Sequence, residues 1–224
     1  MQRDRYFGSM ALRSTATKQS ERTKSQIRTE RVTNRLLDAA SKFFMERGFE
    51  ATSMGEIARY ARASKETFYR HFPGKEDLFR AVVVRGAKLV AAELSAVLLT
   101  HETPEKALAA FGELFLDRIL SAGSVSFHRI MMMERERFPE LIQSLRADGR
   151  ERVRASLTRY LDEQVARGRL RKMDTAVGTR QFLDLVAAEM IMAATRCGRP
   201  KPSRAEIRQR VKEAIDCFLR SYQT

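Results

Sequence analysis

Apolar residues recur along this chain with the period of an α-helix, and no stretch alternates like a strand or carries a hairpin turn. Val32, Leu36, Ala39, Ala40 and Phe43 form the first stripe, predicting an amphipathic helix from about Thr29 to Arg47 with Gly48 as its C-terminal cap. Met54, Ile57, Ala58 and Ala61 follow at i, i+3, i+4 and i+7, so a second, short helix is expected. Thr52 or Ser53 can cap it, and Ser53 with Glu56 has the spacing of a capping box. After Arg62-Ala63, Ser64 can cap a third helix over Lys65–Phe72, in which Phe68 and Phe72 fall on the core side. Lys75 to about Leu99 then reads as one long helix, with Leu78, Val82, Leu89, Val90, Leu94 and Val97 apolar.

The remainder is helical in pattern as well. Thr103-Pro104 starts a helix carrying Leu108, Phe111, Phe115 and Ile119, because proline is at home in a first turn. A segment from Ser126 to Phe138 holds Phe127, Ile130, Met131 and Met133, and Pro139 starts the next. Val153, Leu157, Leu161 and Val165 mark a further helix ended by Gly168, and Asp174 opens one running through Thr195. Ser203 and Glu206 cap the last, whose apolar positions are Ile207, Val211, Ile215, Phe218 and Leu219. The fold class is therefore all-α. Residues 1–28 lack an apolar period and read as a mobile basic arm, residues 29–76 as a three-helix head and residues 77–224 as a helical body, with no flexible linker between the last two.

The stretch from Thr52 to Lys75 has the form of a helix-turn-helix. Winding the third helix at about 100° per residue places Glu66, Thr67 and Arg70 opposite the phenylalanines. Lys65 and Tyr69 flank one edge of that face, His71 flanks the other, and Lys75 opens the next helix. Arg and Lys can donate to guanine O6 and N7, Glu can accept from cytosine N4, and Tyr, His and Lys can reach backbone oxygens. With the polar residues at the helix starts and turn, the candidate DNA contacts are Thr52, Ser53, Arg62, Ser64, Lys65, Glu66, Thr67, Tyr69, Arg70, His71 and Lys75. On spacing alone, two short amphipathic helices also occur in helical proteins with no such role.

Charge points the same way without deciding it. The 42 Lys+Arg against 28 Asp+Glu give a net charge of +14 and favour a polyanionic partner, nucleic acid or anionic membrane. Residues 1–80 carry 17 Lys+Arg against 10 Asp+Glu, half of the excess, so the rest of the chain is equally basic. The arm, with seven Lys+Arg against two acids, can follow a neighbouring minor groove or be an inert tail. Two cysteines, Cys197 and Cys217, are too few for a disulfide scaffold and sit in no zinc spacing, so a reducing cytoplasm is expected, with no metal or cofactor. Phe182–Cys197 is the most apolar run but contains Asp184 and Glu189, which excludes a membrane span, and no signal-peptide core leads the chain. An enzyme is not expected: no nucleophile elbow, P-loop, dinucleotide fingerprint or HExxH occurs, and the three histidines His71, His101 and His128 are scattered.

The run Leu36-Leu37, Ala39-Ala40, Phe43-Phe44, Gly48-Phe49, Thr52, Ile57-Ala58, Ser64, Thr67-Phe68-Tyr69, His71-Phe72, Lys75-Glu76-Asp77-Leu78 resembles the N-terminal domain of the TetR/AcrR family of bacterial transcriptional regulators, over about 50 residues. Two positions depart from it. Arg62-Ala63 stands where the family usually has Gly-Val, at a cost on the order of 1 kcal/mol if Arg62 must be left-handed, while adding a cation beside the DNA. Glu66 stands where many members carry a small residue, so base preference does not carry over. The resemblance also implies that the start of the first helix, Arg28 and Arg31, lies near phosphate. FHRIMMMERERFPEL and the helices after it are similar to the effector domains of the AefR-like branch.

The resemblance implies a homodimer that pairs its last two helices, where Ala187, Ala188, Ala193 and Ala194 allow close approach, and that binds double-stranded operator DNA through two heads one helical turn apart. It also implies a small-molecule effector. Phe111, Phe115, Phe127, Ile130, Met131, Phe138, Phe182 and Met190 can line an apolar pocket for it, although such residues at helical spacing are core first. His128 and Arg129 can orient a polar group of that ligand, or be ordinary satisfied side chains. A ligand-released repressor is thus the expectation, and a non-specific basic DNA-binding protein the alternative.

Overall fold

The computed structural model describes Ile27, residues 29–196 and residues 200–223, with the side chains of residues 141, 144–150 and 196 set aside; the basic arm, Arg28 and Cys197 lie outside the described residues. Nine helices are described: α1 over residues 29–47, α2 Met54–Tyr60, α3 Lys65–His71, α4 Lys75–Leu98, α5 Pro104–Ile119, α6 Ala122–Met133, α7 Pro139–Ala166, α8 Thr175–Arg196 and α9 Arg204–Tyr222. Two compact units divide between Phe79 and Arg80, inside α4 and three residues beyond the expected boundary.

The N-terminal unit is organised on aromatic rings. Phe44 sits within 5.8 Å of Phe49 and 5.3 Å of Phe79, centroid to centroid, and all three are buried. Leu36, Ala40, Ile57, Phe68 and Leu78 complete this core, each wholly buried. Such burial stabilises by roughly 1.5–3 kcal/mol for each large side chain, which is what fixes short helices that would not persist alone.

Local signals set most of the ends. Ser64 accepts from the backbone N–H of Thr67, Thr103 from Lys106 with Pro104 beginning α5, and Asp174 from Ala176 and Val177. The Ser203–Glu206 capping box on α9 is complete. Gly48 and Gly168 take the left-handed conformation that ends α1 and α7, at φ 80° and 68°.

Three expectations are corrected. The Ser53–Glu56 box on α2 does not form: Ser53 is the N-cap residue without a side-chain cap bond, and the Glu56 carboxylate pairs with Arg47 of α1 at 3.0 Å. The helix expected from Ser126 begins at Ala122, capped by Ser121 accepting from Ser124, in a stretch too poor in apolar residues to show a stripe. The separate segments after Pro139 and around Val153 are one 28-residue helix, α7. Its charge-rich middle hides the continuity from any hydrophobic period.

In the C-terminal unit α5 packs on α9 and α8, α7 on α8, and α6 on α5 and α8. Phe111, Phe182 and Phe218 run through the core at centroid spacings of 6.3 and 5.4 Å. The end of α9 is tied down where the Arg171 N–H donates to the Tyr222 carbonyl at 2.9 Å, beside an isolated bridge between Leu170 and Gln223. No helix among the described residues is long and apolar enough to cross a membrane.

Candidate nucleic-acid interface

The α2–α3 turn is built by backbone bonds. Arg62 N–H donates to Arg59 C=O at 3.1 Å and Ala63 N–H to Ala58 C=O at 2.9 Å, the two bonds of a Schellman motif. The residue at its left-handed position is Arg62, at φ 53°. Thus the turn takes the conformation expected of it with a side chain where glycine is usual.

Helix α3 hangs on Phe68, wholly buried, and Phe72. Its other side faces solvent: Lys65, Glu66, Tyr69 and Arg70 are exposed and Thr67 half-exposed. Ser64 Oγ both accepts from the Thr67 N–H and donates to Thr67 Oγ1 at 2.8 Å, leaving the Thr67 hydroxyl hydrogen unspent. Beside this face lies an open groove of about 830 Å³ against α1, lined by Arg31, Arg35, Arg62 and Arg70 with Asp38 as its acid. Four guanidiniums around one groove make it a place for anions.

His71 lies on the groove wall, half-buried. Thr33 Oγ1 donates to the Thr29 carbonyl at 3.0 Å, which spends its hydrogen, so the 3.3 Å contact with His71 is a donation from Nδ1–H. Only Nε2 of His71 is left for an outside partner.

Two of the expected contacts bond within the head. Thr52 is 3 % exposed and its hydroxyl donates to the Gly48 carbonyl at 2.7 Å, so its side chain faces the protein. Lys75 donates to the carbonyls of Glu50 at 3.1 Å and Thr52 at 3.4 Å, with its ammonium 4.6 Å from the Phe49 ring centre, and serves to lock the loop before α2 to the start of α4. Both residues are committed to one corner of the head. Arg35 was not among the candidates and lines the groove. Its i, i+4 spacing from Arg31 is a signal that could have found it.

The expected effector residues divide between packed core and a half-buried layer over it. Phe111 and Phe182 are wholly buried in packed core, Met131 is buried, and Phe115 and Met190 pack on the core from a half-buried layer. Phe127 and His128 are half-buried on α6, where His128 Nδ1 lies 3.1 Å from the Ser124 carbonyl. Arg129 donates to the Ala194 carbonyl at 3.3 Å, which joins α6 to α8. A cleft of about 420 Å³ does exist in this unit, between α7 and α8, but Arg154, Thr158, Asp162 and Arg180 are among its lining and none of the expected effector residues is. Of the four alanines expected at a dimer seam, Ala187 and Ala194 are buried within the chain and Ala188 is exposed.

A helical head whose Phe-anchored third helix presents a polar face beside an arginine-lined groove is a DNA-binding helix-turn-helix, joined here to a separate helical body. Residues 36–82 match the bacterial regulatory proteins of the TetR family, and residues 106–224, more than half of the chain, match the AefR-like transcriptional repressor C-terminal domain. The chain belongs to the TetR family of helix-turn-helix transcriptional regulators, a family of regulators and not of enzymes. It is 28% identical over 163 residues to the transcriptional repressor ComR of Escherichia coli K12, covering 70% of this chain and 77% of ComR. A solved TetR-family regulator from Mesorhizobium loti MAFF303099 superposes with a TM-score of 0.82 at 26% identity, over 88% of this chain and 99% of the other. The flavonoid-responsive regulator FrrA superposes at 0.64 with 31% identity, over 87% and 98%.

Proposed function

We propose that this regulator is a dimeric repressor that binds a palindromic operator and is released by a small hydrophobic effector. The observation that carries the proposal is the α3 face: Lys65, Glu66, Thr67, Tyr69 and Arg70 stand on a helix whose opposite side is fixed by buried Phe68, so the side chains aimed at base edges are held by packing. Ser53, exposed and without a side-chain cap bond, can donate its hydroxyl to a phosphate at the rim. One α3 reads few base pairs, and pairing two heads supplies the rest of the site.

Dimerisation through α8 and α9 is supported by exposed Ala188 and by Met192, 54% exposed one turn further along α8. The effector enters between α5, α6 and α8 by parting the half-buried layer of Phe115, Phe127 and Met190 from the core beneath it. The methionines of α6 suit such adaptable packing. The name of FrrA, which describes that protein as flavonoid-responsive, supports a flat apolar effector here. Effector binding need shift operator affinity by only a few kcal/mol to switch occupancy.

The test is selection of duplexes from a random library by the full chain, followed by footprinting of the enriched site with and without cell metabolite extracts. A palindromic consensus protected in two half-sites, and released by an apolar fraction, supports the proposal. Enrichment of no sequence over salt-dependent background binding would refute it in favour of a non-specific basic binder.

A further inference from the structure

Among the described residues, three helices end on a left-handed residue, and two of them use glycine. Gly168 ends α7 with the same pair of backbone bonds as the α2–α3 turn, Gly168 N–H to Val165 C=O and Arg169 N–H to Gln164 C=O, both at 3.0 Å. Gly48 ends α1 at φ 80°. Only Arg62 adopts positive φ with a side chain among the described non-glycine residues. A long, cationic residue in that conformation is strained, and strain of this kind persists where something other than folding requires the side chain.

Folding does not require it. Arg62 is exposed, and it joins the hydrogen bonding of the turn through its backbone N–H, which any residue but proline supplies. Arg62 is instead one of the residues that line the groove α1 and α3 form, with Arg31 and Arg35 on one wall and Arg70 on the other. The left-handed turn thus sets a fourth arginine on the border of that groove. The geometry points to Arg62 as a phosphate clamp: it holds the sugar-phosphate backbone of duplex DNA in the α1–α3 groove, adding affinity that is independent of base sequence, at the expense of head stability. This rests on the DNA-reading role proposed for α3 and deepens it. Arg70 reads, whereas Arg62 grips.

The experiment uses the full chain with Arg62 replaced by Gly, Ala or Lys, the duplex selected by the unsubstituted protein, and a scrambled duplex of equal length. Arg62→Gly relieves the strain and removes the charge, so melting temperature rises by about 2–4 °C for a chain of this size. Binding to both duplexes weakens by a similar factor, and the slope of log affinity against log salt becomes shallower by about one unit for each bound head. That slope makes the advantage of the unsubstituted protein shrink about threefold to fourfold per head between 50 and 200 mM salt. Arg62→Ala keeps the strain and loses the charge, so it weakens binding without raising stability. Arg62→Lys keeps both and stays close to the parent on each readout.

Three results would overturn the inference. They are an unchanged salt slope in the Gly and Ala variants, a Gly variant less stable than its parent, or weakening confined to the selected duplex, which would make Arg62 a base reader. If the parent protein selects no duplex at all, the DNA-reading role of α3 fails first and the clamp falls with it; a parent that selects normally while the variants bind equally well sinks the clamp alone.

Discussion

Gly112 lies in the middle of α5, buried against α9, and substitution by alanine sets two effects of known size against each other. A helical glycine costs about 1 kcal/mol relative to alanine, so Gly112→Ala gains that much from propensity. A Cβ at this position, however, would stand 2.9 Å from Val211 Cγ1 and 3.2 Å from Cγ2. Favourable carbon contacts lie at about 3.5–4.0 Å, so the overlap is more than half an ångström on a side chain that cannot swing away. Val211 is 1% exposed, and a β-branched residue in a helix has essentially one rotamer. Overpacking of this kind costs about 1–3 kcal/mol, which outweighs the gain and leaves Gly112→Ala destabilised by roughly 0–2 kcal/mol. Val211→Ala alone costs about 2–3 kcal/mol through two lost methyl groups and the space they leave. In the double variant the methyl group added at position 112 enters that space, so the combined loss is smaller than the separate losses together by about 1–2 kcal/mol. Urea denaturation followed by far-UV circular dichroism, with midpoints compared at constant m, measures all four corners of the cycle. A Gly112→Ala protein more stable than its parent by the full propensity gain, or strict additivity in the double variant, would refute the packing argument.

Arg70→Ala should cost about 1–3 kcal/mol on the selected operator and much less on a scrambled duplex, read by competition binding at fixed salt; equal losses on both would remove Arg70 from base reading. The Asp117 carboxyl is held below the usual carboxylate value, chiefly by the hydrogen bond from Lys201, with Lys201, Arg118 and Arg204 charges adding and partial burial opposing. A depressed folded-state pKa stabilises above the unfolded value near 4 and is lost as pH falls through the lower one, so Lys201→Met should flatten the acid limb of stability below about pH 5. Because the pair is half-exposed, the difference stays below about 1 kcal/mol, and superimposable acid limbs would count against it. Ser203→Ala removes the hydroxyl that accepts from the Glu206 N–H at 3.2 Å, and should lower stability by about 1 kcal/mol in urea titrations; a change within about 0.2 kcal/mol would mean that water replaces the cap.

What could be read from the chain alone was whatever one helix decides for itself. Ser64, Thr103, Asp174 and Ser203 announce helix starts because the cap bond closes within three residues, and Gly48 and Gly168 announce ends for the same reason. Phe68 and Phe72 were assigned correctly to the core side because 3.6-residue periodicity fixes direction. Direction is not the whole of environment, however. The same periodicity that turned Phe111 and Phe182 inward carried no information on whether the inside is hollow or filled, and they are packed against Phe115 and Phe218. Competition between helices was equally invisible. Glu56 has the spacing to reach back to Ser53 but pairs with Arg47, and Lys75 has the charge to meet phosphate but reaches carbonyls 23 and 25 residues earlier. Arg35 became a candidate only when α3 was seen to close a groove over it.

The corner made by Lys75 also joins three parts of the head. One ammonium fastens the first turn of α4 to the carbonyls of Glu50 and Thr52, and Thr52 in turn grips Gly48 at the end of α1. The first turn of α4 is therefore tied to the loop that launches α2 by polar bonds, beside the aromatic contact that the same ammonium makes with Phe49. The lysine works as a tie rod, and neutralising its charge would slacken the linkage while leaving every residue of the reading face in place.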